Sequence, residues 1–109
     1  MRKFKILFPT GYFIDNFEND NIDINVVFED HTVYVATAFT LVNIRLLMGT
    51  NNYFWASDMF IVSDLRKETL KKAINEAIKN EYFELIFNKI GDIQQVYECN
   101  NFDEIKDIE

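Results

Sequence analysis

Apolar and polar residues alternate along the first third of the chain in the pattern typical of β-strands. Residues 3–8 predict a first strand, which ends at Pro9. Residues 22–29 and 32–38 alternate on either side of a polar pair that begins at Asp30, so this part of the chain predicts a β-hairpin.

A short helix is predicted to follow the hairpin. Thr40 is a good N-cap residue because its hydroxyl can accept a hydrogen bond from an early backbone N–H. Apolar residues then recur at helical spacing as far as Gly49, which suits the end of a helix. The alternative is a single long strand that continues through Val42.

Residues 53–62 are apolar except for Ser57 and Asp58. Since a strand with two apolar faces is usually covered on both, we expect a central strand here, with Trp55 in the core. Asp58 interrupts the run, and a buried carboxylate must find hydrogen-bond donors or a cation. It either shapes the local structure or faces a partner.

The clearest helix spans about residues 64–80, with Ser63-Asp64 as its cap and one apolar stripe. A second hairpin is predicted over residues 83–99, and Asn101 resembles the cap of a short last helix. Together these elements predict one α+β domain over residues 1–109. Its mainly antiparallel sheet of about five or six strands packs against one long helix, with one or two short helices besides.

Composition agrees with a single domain that has its own core. Of the 109 residues, 49% are hydrophobic and one is a cysteine, so no disulfide forms within the chain. The apolar run at the N-terminus is too short for a signal peptide, and no stretch approaches the roughly 20 apolar residues of a membrane helix. We therefore expect a cytoplasmic protein.

Catalytic signatures are absent from the sequence. It contains none of the phosphate-binding, dinucleotide-binding, metalloprotease or redox motifs. His31 falls in a predicted turn, and no cation adjoins Cys99 to activate it. The carboxylates of residues 15–20 lack the spacing of a calcium loop. We expect no catalytic residue, no cofactor and no metal site.

Charge is the sharpest feature of the sequence. The formal net charge of −7 argues against binding to nucleic acids or anionic membranes, and it suits a basic protein partner. Residues 6–44 contain no Lys or Arg but six acids. We predict that this segment binds a partner, with aromatic anchors and Asp58 contributing. The predicted partner-binding residues are Tyr12, Phe13, Asp15, Phe17, Glu18, Asp20, Asp23, Glu29, Asp30 and Asp58. The alternative is a solvated acidic loop.

The sequences FTLVNI at 39–44, YFWASDMFIV at 53–62 and DL at 64–65 resemble small bacterial proteins. Some of those resemble immunity proteins of polymorphic toxin or contact-dependent growth inhibition systems. The resemblance implies a small, acidic, cytoplasmic, non-enzymatic protein that neutralises a toxin, often a basic nuclease, by covering or distorting its active site. It carries over no interface residue. The alternative is a regulatory or scaffolding subunit that pairs through an apolar strand surface, and neither function involves a small-molecule substrate.

Overall fold

A computed structural model of the protein describes residues 2–107 and shows an α+β domain. In chain order its elements are β1 (Phe4–Leu7), β2 (Asn21–Phe28), β3 (Thr32–Thr40), α1 (Leu41–Met48), β4 (Met59–Val62), α2 (Lys67–Lys79), α3 (Phe83–Ile86), β5 (Asn88–Asp92), α4 (Ile93–Tyr97) and a 3₁₀ turn (Phe102–Glu104). The predicted α+β class is therefore confirmed.

The five strands form one mixed sheet in the order β1-β2-β3-β4, and β5 also pairs with β3. Strand β4 lies along residues 37–40 of β3 and β5 along residues 32–35, so they share one edge of that strand. The β1–β2, β2–β3 and β3–β5 pairs are antiparallel, whereas β3 and β4 are parallel. The predicted, mainly antiparallel sheet did not include this parallel pair. The pair requires a crossover connection, which is described with the candidate site below.

The predicted hairpin is present as β2 and β3. The turn places His31 at a positive φ of 76°, and the Asp30 carboxylate accepts hydrogen bonds from the backbone N–H and the hydroxyl of Thr32. Pairing of Val27 with Val33 and of Asp23 with Thr37 fixes the register. Because side chains alternate between faces, this register decides which residues reach each side of the sheet.

The first face of the sheet carries the main core. Alternate residues of β2 and β3 pack there against the apolar stripe of α2, of which Leu70, Ile74 and Ala77 are buried. Phe83 and Phe87 complete this layer, with stacked rings whose centroids are 4.4 Å apart. Each large side chain buried in this way stabilises the fold by about 1.5–3 kcal/mol before the entropy of ordering is counted.

Helix α2 is shorter than predicted. It has 13 residues and begins at Lys67 instead of about residue 64, with Arg66 at the N-cap position. Asp64 lies just before the helix, where its carboxylate accepts hydrogen bonds from the Arg66 N–H and the Thr69 hydroxyl. It stabilises the turn that enters the helix and is not its cap. With three other α-helices in residues 2–107, α2 is not the single long helix that we expected.

The second face of the sheet is covered only in part, by the C-terminal segment. Val27, Val33, Ile93 and Ile105 form a small separate core there. The ammonium group of Lys5 donates hydrogen bonds of 2.8 Å to the carbonyls of residues 102 and 105. These contacts fasten the segment over the β1–β2 side of this face and leave the middle of the face open.

The predicted hairpin over residues 83–99 is wrong. That stretch forms α3, β5 and α4 instead. The Asp92 carboxylate accepts a hydrogen bond from the Gln95 N–H, and the Gln95 side chain accepts one from the Asp92 N–H, so Asp92 caps a helix. Asn101 does act as a cap, with its side chain accepting from the Asp103 N–H, but it caps a 3₁₀ turn.

Two leucines of equal size test the division between core and surface. Leu70 is fully buried, whereas Leu85 is 87% exposed. We expect Leu70→Ala to lower the free energy of unfolding by about 2–5 kcal/mol because it leaves a cavity. The matched change Leu85→Ala should alter it by no more than about 0.5 kcal/mol. Urea unfolding measures both values, and equal losses would contradict the placement of α2.

Asp64 should make stability depend on pH. The hydrogen bond from the Thr69 hydroxyl is the main cause that lowers the pKa of Asp64 in the folded protein below its ordinary 3.8. Its carboxylate therefore stabilises the fold above about pH 4, and this contribution is lost as the pH falls through the lower folded-state pKa. Thr69→Val should cost about 1 kcal/mol at pH 7 and distinctly less at pH 2.5. An equal cost at both pH values in urea unfolding would refute this role.

Candidate protein-binding surface

The parallel pairing of β3 and β4 requires the chain to cross back between them. Residues 41–58 make this connection, and we call them the crossover. Its first part is α1, the helix predicted from Thr40 to Gly49. The Thr40 hydroxyl accepts a hydrogen bond from the Asn43 N–H at 3.2 Å, and Gly49 ends the helix with a positive φ of 57°. The helix is therefore confirmed, and the alternative of a continuous strand is excluded.

Helix α1 turns four of its six apolar residues toward solvent, while Ile44 and Met48 are half-buried. Asn43 is its only buried residue, while Leu41 and Leu46 are each 66% exposed and Val42 and Leu47 are about half exposed. A crossover helix normally buries its apolar stripe against the sheet. In α1 the polar residue Asn43 faces the domain instead.

Polar contacts attach the base of α1 to the rest of the domain. The Asn21 amide donates to the Asn43 side-chain oxygen at 2.9 Å, and the Asn43 amide donates to that of Asn19 at 3.4 Å. The backbone N–H of Thr40 donates to the Asp20 carbonyl at 3.3 Å. Since these bonds hold the helix, its leucines are not needed for attachment.

The remainder of the crossover is anchored by one aromatic ring. Phe54 packs edge-on against Phe39 of the sheet, with ring centroids 5.5 Å apart. Its neighbours Tyr53 and Trp55 are 71% and 74% exposed, so the placement of Trp55 in the core was wrong. The predicted strand over residues 53–62 is confirmed only for β4, because residues 53–58 lie outside the sheet, and its expected central position was wrong because β4 is an edge strand.

We define the exposed apolar surface as the solvent-facing residues of the crossover and the edge strand β4. It consists of Leu41, Val42, Leu46, Leu47, Tyr53, Trp55 and Ile61. Each of these residues is between 46% and 74% exposed. Monomeric proteins rarely leave so much apolar surface uncovered, so this surface is the leading candidate for an interface.

A groove lies on the second face of the sheet, and two crossover residues, Ser57 and Asp58, line it. It has a volume of about 450 Å³, and Asp23, Asn25, Val35, Thr37, Asp58 and Ile90 are among its lining residues. Asp58 adopts a positive φ of 51°, and its carbonyl accepts a hydrogen bond from the Thr37 N–H at 2.9 Å. Asp58 thus begins the parallel pairing, and its side chain lines the groove.

The predicted aromatic anchors separate into two groups. The Tyr12 hydroxyl donates to the Leu65 carbonyl at 2.8 Å, and Tyr12 packs beside the core. Phe17 lies against Tyr12 and beneath the Arg66 guanidinium. These two rings therefore hold the acidic loop to the domain. Phe13, in contrast, is 88% exposed and is free to contact a partner.

The predicted acidic residues do not form one patch. Asp20 and Asp23 line a depression of about 160 Å³ that also contains Phe13. Asp23 and Asp58 line the larger groove, so Asp23 belongs to both. Asp15 is exposed in the connecting loop.

The other three predicted acids, Glu18, Glu29 and Asp30, line neither of these depressions. Glu29 and Asp30 lie beyond the opposite end of β2, roughly 20 Å from Asp23 at about 3.3 Å per residue. Asp30 faces Arg2 at 3.7 Å, and Glu18 faces Arg66 at 3.7 Å. These ion pairs weaken the negative potential away from the groove.

The sequence analysis missed the exposed apolar residues of α1. The helical spacing of these residues predicted the helix but not which of them face solvent. A signal was nevertheless present, since the eight residues LVNIRLLM contain apolar side chains on every side of the helix. One sheet face cannot cover them all, so some had to face solvent or a partner.

Charge is concentrated in the part of the chain that carries this surface. Residues 6–65 contain eight acids and one basic residue, Arg45. The remaining residues contain ten acids and ten basic residues, so the whole net charge of −7 comes from residues 6–65. The exposed apolar surface thus lies in the acidic part of the molecule.

The chain matches no protein-family model, no curated protein and no solved structure. Within residues 2–107, no three His, Cys, Asp or Glu side chains are grouped so that they could hold a metal ion. None of the helices described here has the length and apolar character needed to cross a membrane.

Adjacent aromatic residues give a direct test of the surface. Trp55→Ala should change the free energy of unfolding by less than about 1 kcal/mol, because the side chain is already in water. Phe54→Ala removes the contact with Phe39 and should cost about 2–4 kcal/mol. Thermal or urea unfolding distinguishes the two. A Trp55→Ala protein that loses as much stability as Phe54→Ala would place Trp55 back in the core.

Proposed function

We propose that this chain is a non-enzymatic protein-binding domain, an immunity-type inhibitor that neutralises a bacterial toxin through its exposed apolar surface. The observation that carries the proposal is the orientation of α1, which buries Asn43 and presents its leucines to solvent. Trp and Tyr are the side chains that most often supply interface binding energy, and Trp55 and Tyr53 lie in the same connection. The immunity role itself rests on the resemblance found in the sequence.

The charge distribution favours a basic partner. Asp20, Asp23 and Asp58 line two depressions of the domain, and Arg45 is the one basic residue between positions 6 and 65. Complementary charge accelerates encounter, while desolvated aromatic and aliphatic side chains slow dissociation. A toxin that binds nucleic acid is basic where it contacts phosphates. It would be attracted by this part of the chain, whose carboxylates take the place of phosphates.

Co-expression tests the proposal. Cells producing the toxin encoded beside this gene should grow when they also produce the wild-type chain. Leu46→Asp places a charge within the exposed apolar surface, so we expect growth to fail and affinity for the purified toxin domain to fall at least 100-fold. Leu85→Asp is the matched control, because Leu85 is also exposed, at 87% against 66% for Leu46, but lies on α3. Wild-type chain that neither protects cells nor binds the toxin domain would refute the immunity role.

Self-association is the second candidate function, and one observation favours it. Strand β4 is an edge of the sheet, and Ile61 on that edge is 51% exposed beside the crossover. Two copies could pair through this apolar edge. Sedimentation velocity between 1 and 200 µM decides between the functions. A dimer that Leu46→Asp dissociates and Leu85→Asp does not would favour the scaffolding role, whereas a monomer throughout leaves the surface free for another protein.

A further inference from the structure

The groove arises because the second face of the sheet is covered at its two ends and not in its middle. At one end the C-terminal segment covers Val27 and Val33, and the Asn25 amide donates a hydrogen bond to the Tyr97 hydroxyl. At the other end Phe54 covers Phe39. Between these covers the pair Asp23–Thr37 and the side chain of Val35 remain open, whereas Asn25 is buried.

The open rows combine apolar walls with two carboxylates. Val35 and Ile90 supply apolar surface, and Thr37 lies between them and the acids. Asp23 accepts a hydrogen bond from the Thr37 hydroxyl at 2.9 Å, and Asp58 accepts one from the Ser57 hydroxyl at 3.3 Å. Neither carboxylate has an ion-pair partner within residues 2–107. Each has further acceptor positions available, since a carboxylate offers about four.

Within residues 2–107, no cationic side chain lines the groove. The lining residues include no Lys or Arg. Lys89, next to Ile90 in the sequence, pairs with Tyr34 of β3, and its charge adds to the hydrogen bond from the Thr32 hydroxyl, the main cause that lowers the pKa of Asp30. The two carboxylates therefore give the groove a negative charge that nothing in its wall offsets.

We infer that this groove receives the side chain of an arginine or lysine from a bound protein. The aliphatic stem would lie along Val35 and Ile90, and the charged head would reach Asp23 and Asp58. Long basic side chains bury their stems against apolar surface in this manner, and charge-assisted hydrogen bonds to carboxylates are stronger than neutral ones. The inference rests on the proposed protein-binding function, of which it specifies the partner's chemistry.

The position of the groove agrees with this role. Ser57 and Asp58 form its wall and follow Trp55 closely in the chain. A protein seated on the exposed apolar surface would thus have the groove beside it. The apolar residues would supply contact area, and the two carboxylates would select a partner with a cation at one position.

Substitution by Asn can remove the charges without disturbing the fold. Asn keeps a side-chain oxygen that can accept from Thr37 or Ser57. It also tolerates the positive φ of Asp58 as well as Asp does. Asp15→Asn removes the same charge from an exposed position outside the groove and serves as the control.

The experiment titrates the ¹⁵N-labelled chain with N-acetyl-arginine amide and with N-acetyl-citrulline amide, a neutral molecule of the same shape. We expect the arginine derivative to move the backbone amide signals of residues 23, 37, 57 and 58 saturably, with millimolar affinity, and the citrulline derivative to leave them unchanged. The double variant Asp23→Asn with Asp58→Asn should weaken binding at least tenfold, and Asp15→Asn should not weaken it. Equal effects of the two probes, or arginine binding that survives the double variant, would overturn the inference.

A further titration with putrescine separates a protein side chain from a free amine. Micromolar binding of putrescine would make the groove a small-molecule site and would overturn the inference, whereas millimolar binding agrees with one side chain of a larger interface. None of these titrations includes a toxin, so their results are independent of the growth assay. A chain that binds arginine derivatives but does not protect cells would contradict the immunity role and leave the groove's chemistry intact.

Discussion

The parallel pairing of β3 with β4 is the constraint on which the exposed surface depends. An antiparallel neighbour could be reached by a tight turn, but a parallel one requires the chain to return along the whole strand before it can pair. The crossover does this in 18 residues, of which α1 takes eight. One aromatic contact and a few polar hydrogen bonds hold the crossover in place, and most of its apolar side chains remain in solvent.

The same pairing explains the groove. The crossover covers the second face at Phe54, which packs on Phe39, and then runs along the groove wall at Ser57 and Asp58, where the Asp58 carbonyl accepts from the Thr37 N–H. The C-terminal segment approaches from the other side and is held there by Lys5. Neither cover extends to the middle rows, so the groove and the exposed apolar surface have a common structural origin.

Features set by neighbouring residues could be predicted from the sequence. The alternation of β2 and β3, the cap at Thr40 and the buried stripe of α2 each depend on contacts a few residues apart or on one period. The exposure of Trp55 could not be predicted in this way, because it depends on which strand β4 joins and in which direction. The prediction for residues 83–99 was wrong for a related reason. Their short apolar runs fit a hairpin as well as a helix–strand–helix sequence.

The candidate site could be predicted only in part, because the sequence shows where the acids lie but not which apolar residues are exposed. Acid enrichment pointed to Asp23, the interruption of an apolar run pointed to Asp58, and both residues line one groove. The apolar component was missed because an exposed leucine and a buried leucine look alike in a periodic pattern.

Asn43 would have resolved this ambiguity. An amide on the inner side of a helix must be hydrogen-bonded, and partners at Asn19 and Asn21 leave the leucines no place but the outer side. Exposing apolar area forgoes about 25 cal/mol for each Å² that could have been buried. A helix anchored by amides and presenting leucines is therefore a poor arrangement for stability alone, and it is the arrangement expected when those leucines are covered by another molecule.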